Sequence, residues 1–318
     1  MTIKSFFKLV EIQTKVASVI PFLLGTFYSI YHYNRFIIKN FFLMFISLLA
    51  FDMATTTINN YIDYKKAKKT KGYGYEEHNA IVRDQIKEGH VLLIIAILLG
   101  GAVIFGLLLF LNTNYVLLFL GVLSFLVGIH YTYGPLPISR MPIGEIYSGF
   151  FMGFIIVFIS IYIHVYDENI VSLFYQHGIL GLTLDVLDLI SIFLISVPAI
   201  LGIANIMLAN NICDIGEDLE NERYTLPIYI GKSKSLKLFK VLYYLIYLNI
   251  GIIILLGIEP IISIVLFATA YPVMKNTNEF LLNPSKKETF KNAIMNFILI
   301  NGTRLVCLFI AILLKALK

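Results

Sequence analysis

The sequence predicts an all-α, polytopic membrane bundle of about nine transmembrane helices in a single domain over residues 1–318. Three observations predict it. The 318-residue chain is 58% hydrophobic and only 14% charged, with a mean hydropathy of +0.81, outside the range of soluble domains. Its apolar residues fall in runs of about 20, the length of a helix that crosses a bilayer. Lys and Arg gather in alternate connections between those runs, which is how membrane helices are oriented.

Taken in order, the apolar runs place spans near 16–38, 41–62, 91–111, 115–133, 143–165, 189–212, 237–257, 259–275 and 292–315. Only the tight turn Gly257-Ile258-Glu259-Pro260 separates the seventh from the eighth. The first fifteen residues lack a basic-apolar-small cleavage pattern and are expected to be retained. With the N-terminus inside, Lys4, Lys8 and Lys15, the basic loop from Lys65 to Lys87, Arg140, Arg223, Lys232 to Lys240, and Lys275 to Lys291 are all cytosolic. Arg35, Lys39, Lys315 and Lys318 fall outside, and Arg304 lies within the last span. A multi-pass protein of the cell membrane is expected, with the polar loops that follow spans two and six in the cytosol. The net charge of +5 is spread along loops beside an anionic lipid surface, so it calls for a bilayer and no nucleic acid. Cys213 and Cys307 lie on different segments and are expected as free thiols.

Two polar clusters end spans two and six. The first reads Asn59-Asn60-Tyr61-Ile62-Asp63 and the second Asn210-Asn211-Ile212-Cys213-Asp214-Ile215-Gly216-Glu217-Asp218. Helical spacing puts Asn59, Asn60 and Asp63 near one face, with Asp52 deeper on the same stripe. Asn210 and Asn211 precede Asp214 by one turn, and Asp218 follows by another. Asp214 and Asp218 facing one way would repel without a cation between them. Carboxylates and carboxamides at one membrane edge suit a divalent cation that carries a phosphate group. A solvated helix end is the plainer reading of either cluster alone. Lys65 and Lys66, with Lys68, Lys69 and Lys71, directly follow the first cluster, and Arg83 stands alone beyond them. Such cations either anchor the chain at the interface or neutralise a departing diphosphate. Arg304 needs a partner within its span, structural or functional.

At these residues the chain resembles the UbiA superfamily of intramembrane aromatic prenyltransferases, and within it the 1,4-dihydroxy-2-naphthoate prenyltransferases of menaquinone synthesis. The family's second motif, D-x-x-x-D, is intact as Asp214 to Asp218. Asn221-Glu222-Arg223-Tyr224-Thr225-Leu226-Pro227 and then Gly231 follow it as in the naphthoate enzymes. Tyr131-Thr132-Tyr133-Gly134-Pro135-Leu136-Pro137, Gly144-Glu145 and Ser148-Gly149-Phe150 also look like that subgroup. The first motif, N-D-x-x-D-x-x-x-D, keeps Asn59 and Asp63 but has Asn60 and Ala67 in place of two carboxylates. Lys65, Lys66 and Lys68 sit where acidity belongs, so direct contact of cations with the diphosphate is expected to substitute in part.

The resemblance implies a Mg2+-dependent transferase that moves a polyprenyl group from its diphosphate to 1,4-dihydroxy-2-naphthoate with loss of the carboxylate. It implies Asn59, Asp63, Asp214 and Asp218 as metal ligands, and Asp63, Asp214, Asp218, Tyr131 and Tyr133 as catalytic residues. Asn59, Asn60, Lys65, Lys66, Arg83, Asn211, Arg223 and Arg140 would bind the diphosphate or the acceptor. The tyrosines could shield an allylic cation with their ring faces or orient the acceptor. A transporter using Asp52, His130 and Arg304 as an ion path is the competing class, although their positions crowd one edge more than they cross the bilayer. A non-catalytic scaffold is a third.

Overall fold

The computed structural model describes residues 1–66, 79–134 and 137–317. Helices α1 (Ile3–Leu9), α2 (Val16–Tyr28), α3 (Ile38–Lys66), α4 (Ala80–Arg83), α5 (Glu88–Leu111) and α6 (Tyr115–Thr132) form the first half. Helix α7 (Gly144–Ser148) passes through a π-helical turn, Gly149–Ile155, into α8 (Ile156–Val165) as one apolar rod. After a hairpin of β1 (Val171–Gln176) and β2 (Ile179–Leu184) come α9 (Val186–Cys213), α10 (Ile215–Glu220), α11 (Leu226–Ile230) and α12 (Lys232–Leu255). A 3-10 segment, Ile261–Thr269, leads into α13 (Ala270–Leu282), and α14 (Phe290–Ala316) closes the bundle.

Among the described residues six helices are long and apolar enough to cross a membrane: α3, α5, the α7–α8 rod, α9, α12 and α14. Helix α6 is shorter but equally apolar. The expected spans 16–38 and 259–275 correspond to interrupted helices. Helix α2 ends in the π turn Ser29–Tyr33 and a left-handed Asn34, while Pro260 opens the 3-10 run before α13. Large apolar side chains such as Ile97, Ile104, Leu108, Phe119 and Leu126 remain exposed along α5 and α6, as a lipid-facing surface requires.

Among the described residues the hairpin is the one departure from a purely helical reading. Its strands pair antiparallel from Val171–Leu184 to Gln176–Ile179 around His177 and Gly178, both at positive φ. It is tied down where the Tyr162 hydroxyl donates to the Val171 carbonyl at 2.9 Å.

Close packing of the π turn sets the register of the two helices that carry the second cluster and its surroundings. A Cβ on Gly153 would lie 2.5 Å from the Ile200 backbone, and one on Gly149 2.7 Å from the Ile200 carbonyl. Glycines four apart therefore let the α7–α8 rod lie directly against α9, the small-residue crossing common in membrane bundles. Near the other end of the bundle, Arg304 of α14 is fully buried and grips Glu259, with Nη2–Oε2 at 3.1 Å. The same guanidinium donates to Asn301 at 3.2 Å and to the Ile195 carbonyl at 2.8 Å. Arg304 is thus a structural clamp among α9, the turn before the 3-10 segment and α14. Lys15, expected among the cytosolic anchors, is instead buried, its ammonium 2.7 Å from Asp52. Burial favours that pairing because neither charge could remain there alone.

Candidate active site

A cavity of about 540 Å³ opens between α3, α6, the α7–α8 rod and α9. One face of α3 lines it through Met44, Leu48, Phe51, Asp52, Thr55 and Asn59, a helical stripe that turns from apolar to polar toward Asn59. Asn210 of α9 and Tyr131 of α6 line the same cavity, so the two clusters separated in sequence share one mouth. Its lining is mostly apolar, with Asn59, Tyr131 and Asn210 near the ends of α3, α6 and α9 and Ser47, Asp52 and Ser124 farther along the helices.

The second cluster sits at a break in the chain. Asp214 separates α9 from α10, with φ −99° and ψ 7°. The Asp218 N–H donates to its carbonyl at 2.7 Å, which keeps the two carboxylates one turn apart. Asp218 is buried; its Oδ2 accepts from the Thr225 hydroxyl at 3.0 Å, and its Oδ1 lies 3.4 Å from Arg223 Nε. Burial raises the Asp218 carboxyl above the usual range, with Arg223 and Thr225 acting in the opposite direction. Asp214 takes a different cation: the Lys286 ammonium donates to both Asp214 and Asn210, and the Asn210 amide donates to Asp214 at 3.1 Å. Each aspartate thus faces a cationic side chain, Arg223 on Asp218 and Lys286 on Asp214.

The Tyr224 N–H donates to the Arg140 carbonyl at 3.1 Å, which joins the segment after α6 to the loop after α10. Arg140 and Arg223 both lie within electrostatic reach of Asp63, so this junction draws the first cluster toward the second. No hydrogen bond or ion pair reaches the Asp63 carboxylate among the described residues. Asn211 is buried and donates to Glu145 Oε1 at 2.8 Å, while Glu145 Oε2 is buried without a partner among the described residues. Ser148 donates to the Tyr131 oxygen at 2.9 Å and fixes that phenol at the cavity wall.

Several expected site residues point elsewhere. Asn60 is buried with its amide spent on the Leu9 carbonyl at 3.0 Å and on Glu11 at 3.3 Å, so it pins the N-terminal segment to α3. Lys65 pairs with Glu88 at 2.8 Å, which also accepts from Tyr61. Arg83 pairs with its neighbour Asp84 at 2.7 Å. Tyr133 is 61% exposed, whereas Tyr131 lines the cavity, so the two tyrosines part company. The Lys66 side chain, Ala67, Lys68, Lys69 and Lys71 lie outside the described residues, as do Pro135 and Leu136. The proposed ion path also comes apart, since Asp52 is held by Lys15, Arg304 by Glu259, and His130 faces the Leu126 carbonyl on an exposed surface. Lys286 and the unpartnered oxygen of Glu145 were not legible as site features, because their contacts join residues far apart in the chain.

Among the described residues no group of three or more His, Cys, Asp or Glu side chains is gathered to hold a metal ion. The donors at the mouth are all oxygen: Asn59 and Asp63 on one side, Asn210, Asp214 and Asp218 on the other. That set fits Mg2+, which is commonly held by one or two carboxylates plus substrate phosphates instead of a complete protein cage.

Comparison with known proteins agrees with this architecture. The UbiA prenyltransferase family profile matches residues 18–300. The chain is 30% identical over 265 residues to the 1,4-dihydroxy-2-naphthoate octaprenyltransferase of Bacillus subtilis (strain 168), covering 82% of this chain and 77% of that protein. A UbiA homolog from Aeropyrum pernix K1, solved without ligand, superposes with a TM-score of 0.68 at 19% identity, covering 92% of this chain and 97% of that one. A UbiA homolog from Archaeoglobus fulgidus bound to GPP and Mg2+ superposes with a TM-score of 0.65 at 12% identity, covering 97% of this chain and 99% of that one. These two likenesses carry the fold; the profile and the Bacillus relative carry the family. A helical membrane bundle with two Asn/Asp clusters at one cavity mouth thus belongs, by sequence as well as by shape, to the UbiA family of integral-membrane prenyltransferases.

Proposed function

We propose that the protein transfers a polyprenyl group from its diphosphate to 1,4-dihydroxy-2-naphthoate, with decarboxylation, in menaquinone biosynthesis. The observation that carries this reading is the shared cavity. It has a largely apolar interior suited to a prenyl tail, its wall carries Asn59 and Asn210 from the two clusters, and Arg140 and Arg223 lie within electrostatic reach of Asp63 beside it. The Bacillus relative supports the acceptor.

In the net reaction the allylic C–O bond breaks with its electron pair to the diphosphate, and a ring carbon forms the new C–C bond. The ring–carboxyl bond breaks with its pair to the ring, and carbon dioxide leaves. Asn59, Asp63, Asp214 and Asp218 would hold Mg2+, which supplies charge stabilisation for the departing diphosphate. Arg140 and Arg223 add fixed positive charge at the same place. The cavity walls orient the donor and keep water from the allylic cation. Tyr131, held by Ser148, presents its ring where that cation would develop. The distribution of Lys and Arg supports a cytosolic mouth and N-terminus in the cell membrane.

Purified protein in lipid, given Mg2+, a polyprenyl diphosphate and the naphthoate, should yield a prenylated, decarboxylated naphthoquinol by mass spectrometry, and should act poorly on 4-hydroxybenzoate. A product that retains its carboxyl group, or preference for the monocyclic acid, would refute the acceptor assignment.

A further inference from the structure

Lys286 stands on the second cluster although neither motif contains it. Its ammonium donates to the side-chain oxygens of Asn210 and Asp214 together. It comes from the connection between α13 and α14, and that connection is braced. Thr289 Oγ1 donates to the Asn283 carbonyl at 2.6 Å, and the Ser285 N–H returns to Thr289 Oγ1 at 3.0 Å. The Asn283 amide donates to Glu288 at 2.8 Å, and the Phe290 N–H to the Ser285 carbonyl at 2.9 Å. The ammonium also lies 5.4 Å from the Phe290 ring centre, and Phe290 lines the cavity. A loop closed on itself in this way delivers the lysine to the mouth with much of its ordering already in place.

The charges explain why a cation belongs there. Asn60 and Ala67 leave the first motif short of two carboxylates, so the site has less negative charge with which to retain a second divalent ion. We propose that Lys286 is the resident cation of the second cluster: its ammonium holds Asn210 and Asp214 in place of a second metal ion and passes to the diphosphate when the prenyl donor arrives. The inference rests on the diphosphate-binding reading above and extends it to a residue outside both motifs. An ammonium on a four-carbon stem carries three donors that turn freely, so it can exchange a carboxylate for a phosphate oxygen without the dehydration that Mg2+ resists.

Two measurements test it, neither requiring the acceptor. Mn2+ is titrated into substrate-free protein and the free ion is read by electron paramagnetic resonance. Lys286→Ala should tighten Mn2+ binding about tenfold by freeing Asp214, while Lys286→Arg stays near wild type and controls for folding. With farnesyl diphosphate as the probe and Mg2+ saturating, Lys286→Ala should bind about tenfold more weakly and Lys286→Arg should recover most of the loss. Unchanged Mn2+ affinity in Lys286→Ala, or unchanged binding of farnesyl diphosphate, overturns the proposal. If the wild type itself does not bind farnesyl diphosphate, the donor reading fails and this proposal falls with it.

Discussion

Replacing Asp218 by Asn separates function from folding at this site. The amide keeps the shape of the side chain and an oxygen that can still accept from Thr225, a bond of 3.0 Å. It removes the negative charge that faces Arg223 at 3.4 Å. Burial is the largest influence on Asp218 and raises its carboxyl above the ordinary value of 3.8. A raised pKa in the folded state means that ionising Asp218 opposes folding: this contribution to stability is present below the unfolded value and is lost as pH rises through the folded one. At neutral pH the Asn variant should therefore be at least as stable as the parent, less a modest loss at the partly exposed Arg223. Turnover should behave in the opposite way. Removing one preorganised electrostatic contact to developing charge costs about 3 kcal/mol, or a factor of about a hundred or more in kcat. The assay is release of diphosphate from a prenyl diphosphate in detergent or nanodiscs, measured with thermal unfolding on the same samples. In the parent, activity should fall on acidification through the raised Asp218 pKa, and the variant should lack this step. A kcat within threefold of the parent would refute the reasoning, as would a loss of activity that tracks a loss of stability.

Three further outcomes follow from the same geometry. Arg304→Met leaves Glu259 buried and unpaired and should cost about 3–5 kcal/mol, while Arg304→Met with Glu259→Leu should recover most of it; thermal unfolding of the three proteins decides. About 22 Å of α3 separates Met44 from Asn59, so Met44→Trp should block the deep end of the cavity. It should lower kcat/KM for long polyprenyl diphosphates much more than for geranyl diphosphate, and an equal loss for both would remove Met44 from the tail path. Lys65→Ala breaks an exposed pair with Glu88 and a cation–ring contact with Tyr61; it should change stability by less than about 1 kcal/mol and leave KM for the prenyl donor within twofold; a large rise in KM would return Lys65 to the diphosphate site.

The spans were legible because bilayer thickness is a strong constraint. A run of about 20 apolar residues has few alternatives, and α3, α5, α9, α12 and α14 lie close to where the runs put them. The hairpin escaped because its apolar residues do not alternate cleanly, with Leu173, Phe174 and Tyr175 all exposed in succession. Its two-residue His177-Gly178 turn was the available signal, since both residues take the positive φ that a tight hairpin needs. The interruptions at Ser29–Tyr33 and Ile261–Thr269 reflect local helix geometry to which average hydropathy is blind.

At the site, sequence spacing reached what lies within a single helix and little beyond. Asn59 and Asp63 are one turn apart on α3, and Asn210 precedes Asp214 by a turn at the end of α9, so helical periodicity alone could group them. Partners from other helices carry no such period. Lys286 reaches Asp214, Asn211 reaches Glu145 and Lys15 reaches Asp52 across long stretches of chain. These contacts give the two clusters different characters. Asp214 and Asp218 are each met by a cation of the protein's own, and Asp218 also by Thr225, whereas Asp63 has no direct partner among the described residues. An intact acidic motif is thus partly neutralised from within, and the depleted one keeps its remaining carboxylate open. A divalent ion brought by a diphosphate would meet the least competition at Asn59 and Asp63, while the second cluster would offer its charge only as Lys286 and Arg223 turn toward the phosphates. The carboxylates absent from the first motif and the Lys286 ammonium on the second would, on this geometry, act together on the charge around the same leaving group.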